Sequence, residues 1–238
     1  SGLFAGFLSG ASLPLRYRLR FRFPDGNEWE RDDPYRFPPT FGETDVHLFG
    51  EGTHRQLWRV MGAQPKRVDD TDGVAFAVWA PNARRVSVVG DFCHWDGLHY
   101  QMRSLGSSGI FEIFIPGIAP GAIYKYEIKT AEGLLRLKAD PYAYACELPP
   151  STGSVVAASH HHWDDDEWMR SRTESDVVRE PMSIYEVHLG SWRRLPEESD
   201  RPLTYREHAG TLVEHVKNLG FTHIELLPVA EYPFAGSW

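Results

Sequence analysis

Near the start of the chain Leu15, Tyr17, Leu19, Phe21 and Phe23 alternate with Arg16, Arg18, Arg20 and Arg22. A period of two is the signature of a β-strand, and Pro24-Asp25-Gly26-Asn27 supplies the turn of a hairpin. The four arginines then share one face. They could hold an anion, but a solvated face or a charge-protected edge is the expectation, because charge on an edge blocks unwanted strand pairing. A lone hairpin does not hold by itself, so further strands are expected upstream.

Residues 33–65 are dense in Pro and Gly and read as a linker with a short amphipathic helix near residues 53–61. The glycines of Phe49-Gly50-Glu51-Gly52 lack the strand–turn–helix frame of a phosphate loop and read as turns. Between residues 74 and 129 short apolar runs follow one another, clearest at 73–81, 84–92, 109–117 and 122–130. In the last, Tyr124, Tyr126 and Ile128 face one way while Lys125, Glu127 and Lys129 face the other. Strands at this spacing predict a β-sandwich of about 100 residues, closed by a turn at Asp140-Pro141.

A second linker is expected over residues 151–180. It holds His160, His161 and His162 beside Asp164, Asp165 and Asp166. Adjacent histidines do not converge on one ion as spaced ligands do, so a solvated linker is expected and no metal site. After Pro181 the period changes again. Residues 182–190 read as an apolar strand. A helix follows, with a capping box at Thr204 and Glu207, an apolar stripe of Ala209, Leu212, Val213, Val216 and Leu219, and Gly220 at its end. Residues 221–229 form a second apolar strand leading into an aromatic loop. Strand, helix, strand with buried strands is one βαβ unit of a parallel sheet, the opening of something larger.

The formal net charge of −8 argues against nucleic acid or an anionic membrane as partner. Aromatics at 13% suit a neutral, hydroxyl-rich ligand. No apolar run approaches the roughly 18 residues of a membrane span. The start has no Met and no basic stretch before its apolar residues, so a truncated N-terminus is expected rather than a signal peptide. Cys93 and Cys146 are the two cysteines, and a reduced, cytoplasmic setting is expected rather than a bridge between them. No cofactor is expected.

Gly90-Asp91-Phe92-Cys93-His94-Trp95-Asp96-Gly97 resembles the GDFNxWDG signature of the carbohydrate-binding module that precedes the barrel in glycogen branching enzymes. Residues 138–156 resemble that module's exit. Residues 183–194 (SIYEVHLGSWRR) are similar to the first barrel strand of those enzymes, and residues 223–238 to the second strand and its loop. Residues 33–54 resemble the extra N-terminal module of the longer members.

The resemblance implies a mainly β chain in five stretches. Residues 1–35 would be the remnant of an N-terminal β-module, and 36–65 the linker with a short helix. Residues 66–150 would be an immunoglobulin-like sandwich, 151–180 a linker, and 181–238 the first βαβ unit of an incomplete (β/α)8 barrel. It implies a 1,4-α-glucan branching enzyme of the α-amylase superfamily, acting on α-1,4-glucan or glycogen, with a monomeric full-length parent. In the family the catalytic carboxylates follow strands four, five and seven, so no catalytic residue is expected here. Glu186, Glu225 and Glu231 would hold scaffold or loop positions. Trp95 and Lys125 match the family's glucan contacts, while Leu137 stands where a second tryptophan completes the platform and Cys93 replaces the Asn. Trp79 is expected to pack. Two other readings remain open: a non-catalytic glucan-binding or regulatory module, and a debranching or trehalose-releasing hydrolase with the same front module.

Overall fold

A computed structural model describes residues 5–12, 14–159, 161–176 and 178–230. The chain divides into two compact units, Ser1–His160 and His161–Trp238. In the first, β1 (Arg18–Arg22) and β2 (Glu28–Asp32) form the expected hairpin. Arg18, Arg20 and Arg22 stand opposite Asp32, Glu30 and Glu28. Ion pairs cross the strands at 2.7 Å (Arg18–Glu30), 3.2 Å (Arg20–Glu30) and 2.5 Å (Arg22–Glu28). The arginine face is thus balanced by its own partner strand. Arg36, its side chain only 6% exposed, ties the hairpin onward, bonding Asp32 Oδ1 at 2.8 Å and Thr71 Oγ1 at 3.1 Å.

The helix of the next segment, α1 (Glu43–Gly50), lies ahead of the expected 53–61. The Gly42 N–H donates to Asp45 Oδ2 at 3.2 Å to open it, and Gly52 adopts φ +70° just beyond its end. Gly50 and Gly52 are a helix stop, and residues 53–61 hold turns with one 3-10 turn at Leu57–Arg59.

The sandwich follows as β3 (Gly62–Val68), β4 (Thr71–Trp79), β5 (Ala83–Gly90), β6 (Arg103–Ser104), β7 (Ile110–Pro116), β8 (Ile123–Thr130), β9 (Leu135–Lys138), β10 (Ala145–Cys146) and β11 (Ser154–Val155). One antiparallel sheet has the order β3-β4-β7-β6. In the other β8 pairs with β5 along one edge, with β9 and β11 along the other, and β10 adds to β11. Pairing therefore starts at Gly62 and reaches Val155, outside the expected 66–150. Val74, Phe76 and Val78 of β4 and Ile113 and Ile115 of β7 pack on Val86, Val88, Tyr124 and Tyr126 across the sandwich.

The first sheet is buried on both faces. Phe37 covers Ala75 and Phe114, its ring 4.7 Å from that of Phe114. Phe41 and Met61 cover Ala77 and Ile110, with Val46 and Phe49 of α1 beside them. Residues 36–65, expected as a linker, are a packed layer. Among the described residues two carboxylates, those of Glu112 and Asp140, are buried. Glu112 Oε1 accepts from the Thr40 N–H (3.0 Å) and hydroxyl (2.8 Å), and Arg103 Nε lies 3.3 Å from Oε2. Asp140 accepts from the hydroxyls of Tyr124 (2.5 Å) and Tyr126 (3.2 Å) and from the Tyr142 N–H (2.8 Å).

In the second unit α2 (Asp166–Glu174) lies within the stretch expected as linker. Then β12 (Ile184–Val187), α3 (Leu189–Trp192), a small pair β13 (Arg194–Leu195) and β14 (Arg201–Pro202), α4 (Tyr205–Asn218) and β15 (His223–Leu226) complete it. β12 and β15 are parallel, with Tyr185 opposite Ile224 and Glu186 opposite Glu225. The face α4 buries is His208, Leu212 and Val216, set against Val187, Tyr185 and Ile224. Val213 and Leu219 of the expected stripe are exposed, because a two-stranded floor covers only one narrow row of a helix. The Thr204 N–H donates to Glu207 Oε2 at 2.7 Å and the Glu207 N–H returns to Thr204 Oγ1 at 3.4 Å. Thr204→Ala is expected to cost this unit about 1 kcal/mol. Thermal melts followed by helical circular dichroism check this, and an unchanged melt would mean that the Arg201–Glu207 ion pair at 3.0 Å holds the turn alone.

Candidate functional site

The loop that carries Trp95 begins where β5 ends. A Cβ on Gly90 would overlap the Ile123 carbonyl and the Phe92 ring, so only glycine allows β5 this approach to β8. Asp91–Cys93 form a 3-10 turn, and His94 and Trp95 follow at φ +53° and +60°. The Trp95 N–H bonds the Gly90 carbonyl at 3.0 Å. Gly97 comes back against the Glu127 carboxylate, which is paired with Arg85. Loop and outer sheet face thereby form one surface.

On this surface Trp95 is 37% exposed and donates its indole Nε1–H to Asp91 Oδ1 at 2.7 Å. That bond fixes the ring and leaves a face to the solvent. Lys125 is next in the chain to Tyr124, the Cα partner of Gly90. The two predicted glucan contacts therefore sit at the same end of one sheet. Lys125 Nζ donates to Thr152 Oγ1 at 2.7 Å, which holds one of three ammonium donors and leaves two for a ligand. Leu137 is exposed and opposite Glu127, on the same outer face. It offers apolar contact but no ring to stack on.

Cys93, where the signature has Asn, points inward. It is 1% exposed, its thiol aimed at the Gly90 carbonyl at 3.4 Å, and burial pushes that thiol above its ordinary range. The departure therefore alters the loop's filling and leaves the exposed surface untouched. Trp79, expected to pack, is 54% exposed. Its place in an otherwise buried strand hid this: it is the last residue of β4, where Phe49 of α1 meets its ring edge-on and leaves the rest open.

Glu186 and Glu225 are exposed neighbours on the face of β12 and β15 turned away from α4. Glu231 lies outside the described residues, as do His160 and the aromatic loop 231–238. His161 meets the Trp163 ring at 4.6 Å. Among the described residues no helix is long and apolar enough to cross a membrane.

Residues 60–143 match the carbohydrate-binding module 48 family (isoamylase N-terminal domain). Over 241 residues, taking in 100% of this chain and 31% of the relative, it is 56% identical to the 1,4-alpha-glucan branching enzyme GlgB of Thermobifida fusca. The enzymes of the same name from Rubrobacter xylanophilus and Pseudomonas aeruginosa are 55% and 53% identical, with 100% of this chain and 32% of each relative covered. The chain thus spans about a third of the length of the curated relatives it matches. Among solved structures, Klebsiella pneumoniae pullulanase complexed with maltotriose aligns at TM-score 0.50 and 24% identity, over 73% of this chain and 18% of that one. The apo form of that pullulanase aligns equally, over 20% of its chain. At this identity the likeness establishes the fold.

Proposed function

We propose, from the premise that this chain is a homologue of 1,4-α-glucan branching enzymes with a family 48 carbohydrate-binding module, that it is the glucan-holding and barrel-opening part of such an enzyme. The observation that carries this reading is the end-to-end match, 56% identical, to a stretch of a named branching enzyme. The reaction cuts an α-1,4-glucan with retention and passes the piece to a 6-hydroxyl. It needs a nucleophile and an acid/base whose carboxyl groups stand about 5–5.5 Å apart and flank the scissile bond. In the family the chain resembles these groups follow later barrel strands, so Glu186 and Glu225, paired on β12 and β15, are read as scaffold and the transfer chemistry is assigned to carboxylates outside these 238 residues.

What the module contributes is grip. The Trp95 ring stacks on the apolar face of a glucose unit and Lys125 donates to its hydroxyls, as a neutral ligand requires. Residence in the cytoplasm and action as a monomer complete the proposal.

Native electrophoresis through glycogen tests this reading. The chain is expected to be retarded, and Trp95→Ala and Lys125→Ala each to weaken binding about tenfold. Mobility indifferent to glycogen would overturn the grip. The chain alone is expected to leave the iodine colour of amylose unchanged. A fall in colour would put the chemistry within these residues, with Glu186 and Glu225 examined first.

A further inference from the structure

The opposite end of the sandwich carries a second concave surface. An open groove of about 1000 Å³ runs between the end of β4 and the β8–β9 turn, lined by Trp79, Pro81, Asn82, Arg84, Thr130 and Glu132. Trp79 is its apolar floor. Phe49 of α1 meets that ring edge-on, with centroids 6.1 Å apart and planes at 61°, and fixes its orientation. The ring remains 54% exposed, more than Trp95.

Room for the ring depends on Gly109. That residue sits at φ +75°, and a Cβ on it would stand 2.8 Å from Pro81 Cβ and 3.0 Å from Trp79 Nε1. Among the described residues, the indole Nε1–H of Trp79 makes no hydrogen bond, whereas that of Trp95 is held by Asp91. Around Trp79 stand an amide (Asn82), a guanidinium (Arg84), a hydroxyl (Thr130) and a carboxylate (Glu132), all at least partly exposed. The Glu132 carboxylate is held below its usual range by a hydrogen bond from Thr130. One cation and one anion cancel, so the lining selects neither charge. A flat apolar face rimmed by neutral-summing donors and acceptors fits a neutral, polyhydroxylated ring.

We propose that the Trp79 groove is a second glucan-binding subsite, in which a glucose unit of an α-1,4-glucan stacks on the indole and hydrogen-bonds to Asn82 and Arg84. The proposal rests on the reading of the chain as glucan-holding. It is independent of the Trp95 surface, because the two tryptophans lie at opposite ends of β5. Trp79 sits by the start of that strand, and Trp95 bonds to Gly90 at its end. Seven residue steps at about 3.3 Å put roughly 23 Å between them, too far for one sugar ring to touch both.

The test is a titration of the full chain with maltoheptaose, followed by the indole Nε1–H signals in nitrogen–proton NMR spectra, with Trp79 assigned from Trp79→Phe. The Trp79 signal is expected to shift saturably and to keep doing so in Trp95→Ala. The double change Asn82→Ala with Arg84→Ala, at exposed side chains the core does not use, is expected to weaken that response about tenfold. A Trp79 signal that stays still while Trp95 shifts would overturn the second subsite and leave the glucan reading standing. Stillness of both signals would overturn both. A shift of Trp79 alone would uphold the groove and remove Trp95 from the grip.

Discussion

Replacing Asp140 by Ala is expected to lower the unfolding free energy by about 3–5 kcal/mol. The change leaves buried hydroxyls on Tyr124 and Tyr126 and an N–H on Tyr142 without an acceptor, at about 1–3 kcal/mol for each group left unsatisfied. Asp140→Asn keeps an acceptor at the site and is expected to cost less. The same network sets the alkaline limit. Burial, reinforced by the Asp140 charge, pushes Tyr124 and Tyr126 far above their ordinary value. The unfolded chain releases both protons near pH 10, while the folded chain keeps them. Stability is therefore unaffected by these groups below pH 10 and falls as pH rises beyond it, by about 2.7 kcal/mol per unit for two protons. Asp140 has the same sign in the acid range. Burial lifts its carboxyl, so its contribution is fullest below the unfolded value of about 3.9 and is lost as pH rises through the folded one. Urea denaturation at pH 8, 10 and 11 measures the alkaline limb, and the same titration at pH 3 and 6 measures the Asp140 limb. Equal midpoints for wild type and Asp140→Ala at pH 8 would show that the network does not hold the sandwich together.

Glu112→Ala is expected to cost about 2–4 kcal/mol and to loosen the N-terminal layer before the sandwich itself. Removing one partner of a buried pair costs about 3–5 kcal/mol when both are fully enclosed, and Arg103 is 26% exposed, which discounts that figure. The loss falls where Glu112 holds Thr40, so limited proteolysis should cut within residues 37–61 in the variant and spare the wild type. Glu112→Gln, which keeps an acceptor for Thr40, should fall between. A variant as stable and as resistant as the wild type would mean that Phe37, Phe41 and Met61 hold the layer by apolar contact alone.

Local periodicity was enough for much of this fold. The alternation in residues 15–23 reads directly as a strand, and its charge partners Glu28, Glu30 and Asp32 lie a few residues along the same hairpin. The short apolar runs of β4, β5 and β7 and the alternation in β8, at their regular spacing, read as sandwich strands, and the Thr204–Glu207 box opens its helix as expected. What stayed illegible depended on distant partners. Glu112 looks like an ordinary polar position until Thr40, 72 residues earlier, is seen on its carboxylate. His208 reads as polar on a helical wheel, yet it is buried beside Trp192 with neither ring nitrogen hydrogen-bonded among the described residues. At the candidate site, Trp95 and Lys125 came from resemblance. Trp79, expected to pack, is half exposed instead, because an apolar run does not show which of its residues outlives the cover.

The two-sided burial of the first sheet bears on how portable the module is. Its recognisable sequence begins at residue 60, but Ala75, Ala77, Ile110 and Phe114 are roofed by side chains from residues 37–61. Transplanted without that stretch, the sandwich would carry a bare apolar face into its new host. The smallest exchangeable cassette therefore begins before Phe37 and takes Thr40 with it. The module-family match begins at residue 60, whereas the body that keeps its apolar face covered begins earlier.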